Sequence, residues 1–311
     1  MIQRIAVIGT GVIGASWAAN FLAAGLDVSA TDPAPGAADA LRRAIAAHWP
    51  AMEAFGLAPG ASPDRVSFHA EPEAALEGAD FVQENGPERL EVKRALFARL
   101  DAAAPPEIIL ASSSSFQKMS EVQTACTRAP ERVVLGHPFN PPHLIPLVEV
   151  VGGALTSEAT IARAMDFYAA IGKKPIRVRR EVNGHIANRL QAALWREAFH
   201  LVEAGVASVE DIDAAIAHGP GLRWALLGPF LNLHLSGGAG GMAHLLAHLG
   251  PPMAAMWEEL GATRMSPALH AQIVAGVDAE LAPRDAAAMV RQRDAVLLEL
   301  LRAKAAAPDL P

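Results

Sequence analysis

The opening thirty-two residues restrict the chain to an α/β architecture. Residues 3–8 (QRIAVI) form a short apolar run, followed by GTGVIG with glycines at Gly9, Gly11 and Gly14. ASWAANFLAAG then has helical spacing and stops at Gly25, and DVSATD is a second strand-like run ending in Asp32. Strand, glycine-rich turn, helix and strand make a βαβ unit with an acidic residue at the tip of its second strand. In such a loop the first glycine permits the tight turn and the second lets backbone approach phosphate. The third lets the helix lie close to the strand. The helix start offers unpaired N–H groups and partial positive charge to a pyrophosphate. Asp32, eighteen residues past Gly14, can accept hydrogen bonds from both hydroxyls of an adenosine ribose. Its charge repels a 2′-phosphate and no arginine immediately follows it, so NAD is expected rather than NADP. The alternative for Asp32 is a turn-former ahead of Pro33.

The pattern continues beyond that unit. An alanine-rich helical excursion runs to about residue 57, and further short strands are read in RVSF, DFVQE, EIILAS, RVVLGH, LVEVV and KKPIRV. ERLEVKRALFARL is an amphipathic helix, and another helix over 157–171 ends at Gly172. Alternating strands and helices predict a Rossmann-type doubly wound, mainly parallel sheet covered on both faces. After residue 182 nearly every segment has helical spacing, broken by GPG and SGGAGG. The expected division is an NAD-binding α/β domain over 1–182 and an all-helical domain over 183–311, with a frayed AAAPDLP end.

Composition excludes several functions. The 311 residues favour roughly two domains, and 51% of them are apolar, enough for a large core. A net charge of −7 without a basic stripe argues against nucleic acid as a partner. Cys126 is the sole cysteine, which rules out an internal disulfide framework and a multi-cysteine metal site; it is expected to be a buried hydrophobe. No metal is expected. No uncharged, unbroken apolar run approaches the ~20 residues of a membrane span. MIQRIAVIGTG passes directly into core structure without a leader, so a cytoplasmic location is expected.

The chemistry is concentrated in GHPFNPPHLIPLVEVVGG, which holds His137 and Glu149 twelve residues apart. Histidine titrates near neutral pH and can accept a proton from an alcohol as hydride leaves. His137 ends a predicted strand, where catalytic groups collect in open α/β sheets. Glu149 falls within the apolar strand LVEVV, an expensive place for an unpaired carboxylate, and His137 is its expected partner. The competing reading is a solvent-facing Glu149 and a histidine that merely caps its strand.

GTGVIG, SSSSF, GHPFNP, VEVV and GHIANRL occur in the order found in the 3-hydroxyacyl-CoA dehydrogenase family, which the chain resembles over essentially its whole length. The resemblance implies NAD-dependent oxidation of a 3-hydroxyl, with His137 as general base and Glu149 as its orienting partner. It implies that Ser114, in a serine run where the choice is uncertain by one position, and Asn188 bind the reacting oxygen. Glu88, Lys93 and Asn140 match cofactor-contacting positions; for Glu88 and Lys93 the alternative is an exposed, ion-paired helix face. A homodimer formed through the helical domain is also implied.

Three substrate classes compete. A coenzyme A thioester needs cations for its phosphates, and the helical excursion carries only Arg42 and Arg43 and no lysine. A small free hydroxy acid is favoured, because GPGLRWALLGPF, DPAPGAADALRRAIAAHWPAM and SGGAGGMAHLLAHLGP look most like the carnitine and gulonate 3-dehydrogenase branch. Arg223 can clamp a carboxylate by a bidentate fork. Trp224, with Trp195 and Trp257, offers aromatic faces of the kind that bind quaternary ammonium groups. Carnitine enzymes often carry aspartate where this chain has Asn188. The third possibility is a non-enzymatic NAD-binding structural protein, as in lens crystallins recruited from this group. The intact Ser114, His137, Glu149 and Asn188 set argues against it.

Overall fold

The computed structural model describes residues 2–311. Two compact units divide the chain, Met1–Arg189 and Leu190–Pro311. The first holds eight strands: β1 (Arg4–Ile8), β2 (Asp27–Thr31), β3 (Val66–His69), β4 (Phe81–Glu84), β5 (Ile109–Ser112), β6 (Val133–Pro138), β7 (Leu147–Gly152) and β8 (Lys174–Val178). Six helices connect them: α1 (Val12–Ala23), α2 (Ala37–Phe55), α3 (Pro72–Ala75), α4 (Leu90–Ala103), α5 (Met119–Val122) and α6 (Glu158–Ala170). Each strand coincides with one of the apolar runs read in the sequence.

The strands form one sheet in the order β3-β2-β1-β4-β5-β6-β7-β8. Every adjacent pair is parallel except β6 and β7, which run antiparallel. The central strands β4, β5 and β6 are buried along their whole length, as strands covered on both faces are, while the edge strands β3 and β8 are only partly buried. Side chains on one strand alternate between faces. Ile5 and Val7 of β1 join Trp17 and Phe21 of α1 in one cluster, while Ala6 and Ile8 join Phe97 and Leu100 of α4 in the other. Trp17 stacks on Phe21 at 5.1 Å, and Phe81 meets Phe167 of α6 at 4.3 Å. Cys126 is buried, its thiol directed at the Phe97 carbonyl and pushed up to about 12 by burial.

The second unit is helical throughout. α7 (Ala187–Glu203) leads into α8 (Val209–His218), α9 (Pro220–Trp224), α10 (Pro229–Ser236), α11 (Gly241–Glu259), α12 (Pro267–Leu281) and α13 (Ala286–Ala305). Within this unit only Val202, Leu245 and Leu269 are buried apolar side chains beyond glycines. The compact units part inside α7, seven residues after the boundary expected at 182/183. Ile186 and Ala187, whose amides are hydrogen-bonded to Glu149, thus fall within the first unit. Among the described residues no helix is long and apolar enough to cross a membrane.

Candidate active site

A cavity of about 1060 Å³ opens beyond the carboxyl ends of β1, β2 and β4, with Gly9, Gly11, Asp32, Asn85 and Glu88 among its walls. The residues present fit a dinucleotide. A Cβ on Gly14 would lie 1.9 Å from the Gly9 carbonyl oxygen, so only glycine lets α1 pack this close to β1. Gly9 has a φ of +88° and a side chain there would strike Asn85 backbone at 2.9 Å. A Cβ on Gly11 would meet nothing within 4 Å, which leaves the open approach a phosphate needs. No side chain caps the start of α1, and its leading N–H groups are available to an anion. Asp32 accepts from the Thr10 amide at 2.7 Å through Oδ2 and from the Ala34 amide at 2.9 Å through Oδ1. Each oxygen retains a lone pair for a ribose hydroxyl.

Lys93 does not stand on an exposed helix face. Its ammonium is buried and donates to both oxygens of Glu84, at 2.9 and 3.0 Å, and to the Gly86 carbonyl at 3.3 Å. Glu84 also accepts from Ser112 Oγ at 2.6 Å and from the Gly86 amide at 2.6 Å. Lys93 therefore braces the Asn85–Gly86 wall of the cleft instead of projecting into it. The reason is solvation: an ammonium enclosed this fully needs a carboxylate beside it.

The centre of the site is made by strand register. In the antiparallel β6–β7 pair His137 lies directly opposite Glu149, so both side chains emerge on one face. His137 Nδ1 and Glu149 Oε2 are 2.9 Å apart, and the other carboxylate oxygen accepts from the amides of Ile186 at 2.9 Å and Ala187 at 3.0 Å. Burial alone would raise the Glu149 carboxyl. The hydrogen bonds from His137, Ala187 and Ile186 reverse that and hold it below the usual carboxylate range. An ionised carboxylate only accepts, so Nδ1 carries a proton, and in the neutral tautomer this fixes, Nε2 is the acceptor. Nε2 lies 3.1 Å from Ser115 Oγ.

The four serines separate into different tasks. Ser112 hydrogen-bonds Glu84, and Ser113 donates to Asn85 Oδ1 at 2.7 Å. Ser114 is buried; its hydroxyl donates to Glu88 Oε2 at 2.6 Å and accepts from the Gln117 amide at 2.9 Å. The structure thus engages Ser114 with Glu88 and brings Ser115 to His137, one position along from the serine expected. Glu88 accepts from the Ser115 amide as well, so it orders the serine turn at the mouth of the cleft. Nothing in four identical neighbours could have distinguished them, because the turn after β5 decides which hydroxyl faces which strand.

Asn188 lies in the first turn of α7, and among the described residues its side chain makes no hydrogen bond. Asn140 is exposed in the loop between β6 and β7. That loop is fastened by Lys173, whose ammonium donates to the carbonyls of Pro142 and Ile145, and by His143, whose Nδ1 is 2.7 Å from Ser16 Oγ. Arg223 and Trp224 are exposed on α9 in the second unit. Among the described residues no group of His, Cys, Asp and Glu is arranged to hold a metal. Sequence reasoning reached Ser115 only within the one-position uncertainty on Ser114, and it passed over His185. The latter stands in the quoted GHIANRL but carries no spacing signal of its own.

A dinucleotide cleft beside a strand-end imidazole belongs to the nicotinamide-linked dehydrogenases as a class. Comparison with known proteins narrows this. The family model described as 3-hydroxyacyl-CoA dehydrogenase, NAD binding domain matches residues 4–182, and the model for the C-terminal domain matches residues 184–268. A protein of Streptomyces griseus named L-carnitine dehydrogenase is 53% identical over 307 residues, covering 99% of this chain and 91% of that one. One of the same name from Pseudomonas putida is 49% identical over 302 residues, covering 97% and 94%. The crystal structure of 5-formyl-3-hydroxy-2-methylpyridine 4-carboxylic acid 5-dehydrogenase, an NAD+ dependent dismutase, superposes with a TM-score of 0.84 at 29% identity, covering 98% of this chain and 99% of that one. The 3-hydroxybutyryl-CoA dehydrogenase of Escherichia coli gives a TM-score of 0.67 at 28% identity, covering 89% and 57%. The chain belongs to the 3-hydroxyacyl-CoA dehydrogenase family. It is an oxidoreductase that uses NAD to oxidise a 3-hydroxy acid.

Proposed function

We propose that the substrate is L-carnitine or a close analogue and that His137 is the general base. The substrate reading is supported by the two relatives of that name, about half identical over nearly the whole chain. The base reading is carried by one observation: a buried carboxylate takes the proton side of His137 and leaves Nε2 as an acceptor. When bound, NAD supplies the hydride acceptor. Gly9, Gly11, Gly14 and Asp32 would hold it, together with Glu88 and Asn140, and Lys93 would act through the Gly86 wall. His137 Nε2 takes the hydroxyl proton, and Glu149 stabilises the imidazolium that results. Ser115 and Asn188 steady the reacting oxygen, with Ser114 holding the turn that presents Ser115.

Arg223 is our choice for the substrate carboxylate and Trp224 for an aromatic contact. Thioester phosphates would find little support on α2, where Arg42 is already 3.2 Å from Asp39. We also propose a homodimer through the helical unit. Phe230, Trp257 and Val296 are 76%, 64% and 68% exposed there, and large apolar side chains left this open are what such an interface would bury. A second copy would cover them, and sedimentation as a monomer at micromolar concentration would refute this. A reaction that draws on NAD belongs with the dinucleotide pool, and we place the enzyme in the cytoplasm.

The test is NADH formation with L- and D-carnitine, L-gulonate, 3-hydroxybutyrate and 3-hydroxybutyryl-CoA. The reading requires L-carnitine to be turned over best and His137→Gln to lose ~10²–10⁴ in rate with NAD affinity intact. Preference for the thioester would overturn the substrate, and an active His137→Gln would overturn the base.

A further inference from the structure

His185 has no part in the reaction described above, yet it is held in a way that needs a cause. It is the sole non-glycine residue with positive φ among the described residues, at 50°. That region is unfavourable for a side chain as bulky as imidazole and persists where surrounding structure demands it. The residue is 5% exposed, its Nε2 lies 3.2 Å from the Ser114 carbonyl oxygen, and its ring centroid is 5.0 Å from that of His137. A carbonyl only accepts, so Nε2 carries the proton. Nδ1 is then a bare lone pair, and it is buried without a partner. The two residues that follow supply the amides that hold Glu149.

We propose that His185 is a positioning residue that sets both partners of His137 at once. Its left-handed turn aims the Ile186 and Ala187 amides at Glu149, and its ring N–H holds the Ser114 carbonyl so that Ser115 stays opposite His137 Nε2. Phenylalanine would fill the same space but give the carbonyl no donor. Glycine would make the turn but leave the serine loop unheld. Histidine supplies both the turn and the donor. The groups around it are His137 of β6, Glu149 of β7, Glu88 beyond β4, and Lys118 and Glu181 beside a small neighbouring cavity. Burial, then the charge of His137, pushes the ring below the usual histidine range, in keeping with a neutral donor.

The proposal rests on His137 as the base. The test compares His185→Phe, His185→Gly and His185→Asn for the pH profile of kcat/KM, NAD affinity and thermal midpoint. Loss of the ring donor is expected to lower kcat ~10-fold, about one hydrogen bond's worth, in the phenylalanine and glycine variants. The acid limb should move to higher pH. An Nε2 without Ser115 favours the protonated imidazole in both variants, and a Glu149 less committed to the amides adds to this where the turn is lost. Asparagine, which tolerates this backbone region and carries an N–H donor, should recover part of the loss. NAD affinity should stay within about twofold, because the phosphate loop is untouched. Unchanged kcat and profile in the glycine and asparagine variants would overturn the proposal, even where the phenylalanine variant does not fold. So would a loss that follows the thermal midpoint with an unmoved profile. An active His137→Gln removes the base reading itself; an inactive one with silent His185 variants removes this proposal alone.

Discussion

Replacing Glu149 with glutamine tests the proton relay at its most exacting point. The amide keeps the shape of the carboxylate but can accept at one end only. Two backbone donors, Ile186 and Ala187, converge on Oε1, while a single imidazole nitrogen meets Oε2. With its oxygen on the backbone pair, the glutamine turns an NH₂ toward His137 Nδ1. The imidazole must then accept there and move its proton to Nε2, the atom proposed to receive the substrate proton. The opposite orientation restores the working tautomer but points the NH₂ at two part-buried N–H donors. Each unmet donor costs about 1–3 kcal/mol, so the flip costs roughly 2–6 kcal/mol. The backbone wins, and kcat should fall by a factor between ~30 and ~10⁴, since each ~1.4 kcal/mol is tenfold. NADH formation at saturating L-carnitine measures this, with NAD binding and circular dichroism as controls for the fold. A drop of less than ~3-fold, below 0.7 kcal/mol by the same conversion, would refute the tautomer argument.

Three further outcomes follow from the geometry. Gly11→Ala should keep its stability within about 0.5 kcal/mol and bind NAD at least ~10-fold more weakly, because its Cβ meets only the phosphate approach; Gly14→Ala should lose both stability and binding, because its Cβ collides with the Gly9 carbonyl. Equal thermal midpoints for the two variants would contradict this. Lys93→Met leaves Glu84 as a buried, half-satisfied charge and should cost about 3–5 kcal/mol in urea unfolding, and a cost under ~1 kcal/mol would show that the pair is not buried in solution. Asp101 is buried; burial alone would raise its carboxyl, but the Arg128 amide, the Arg132 guanidinium and the Ala129 amide bring it below its ordinary 3.8. Its stabilisation is therefore complete above that value and lost as pH falls through the lower folded one. Asp101→Asn should lose stability at neutral pH and show a flatter decline in acid; an acid slope unchanged from the parent chain would remove Asp101 from the account.

The glycine spacing, the acid at the end of β2 and the eight apolar runs were all legible, because each is a local pattern with a local cause. Gly14 must lack a Cβ for α1 to close on β1, whatever the rest of the chain does. The burial of the central strands was legible for a similar reason, since strands enclosed on both sides read as mainly apolar runs. Other features depended on groups far apart in sequence. Lys93 reads as a surface lysine on an amphipathic helix, and only the approach of α4 to β4 encloses it with Glu84. The serine run offered four equal hydroxyls until the turn after β5 assigned Ser114 to Glu88 and Ser115 to His137.

By itself, then, the order of residues determined the βαβ dinucleotide loop, the strand and helix succession and the residue types available for proton transfer. Tertiary structure decided which of them meet. Twelve residues separate His137 from Glu149, and that spacing alone is compatible with either face of a strand. Antiparallel pairing of β6 with β7 puts them in register on one face, and the backbone turn at His185 brings the start of α7 to the far side of the carboxylate. Side-chain direction in a sheet reverses with every residue of register, so a contact of this kind is settled by the pairing of strands and not by the strands themselves.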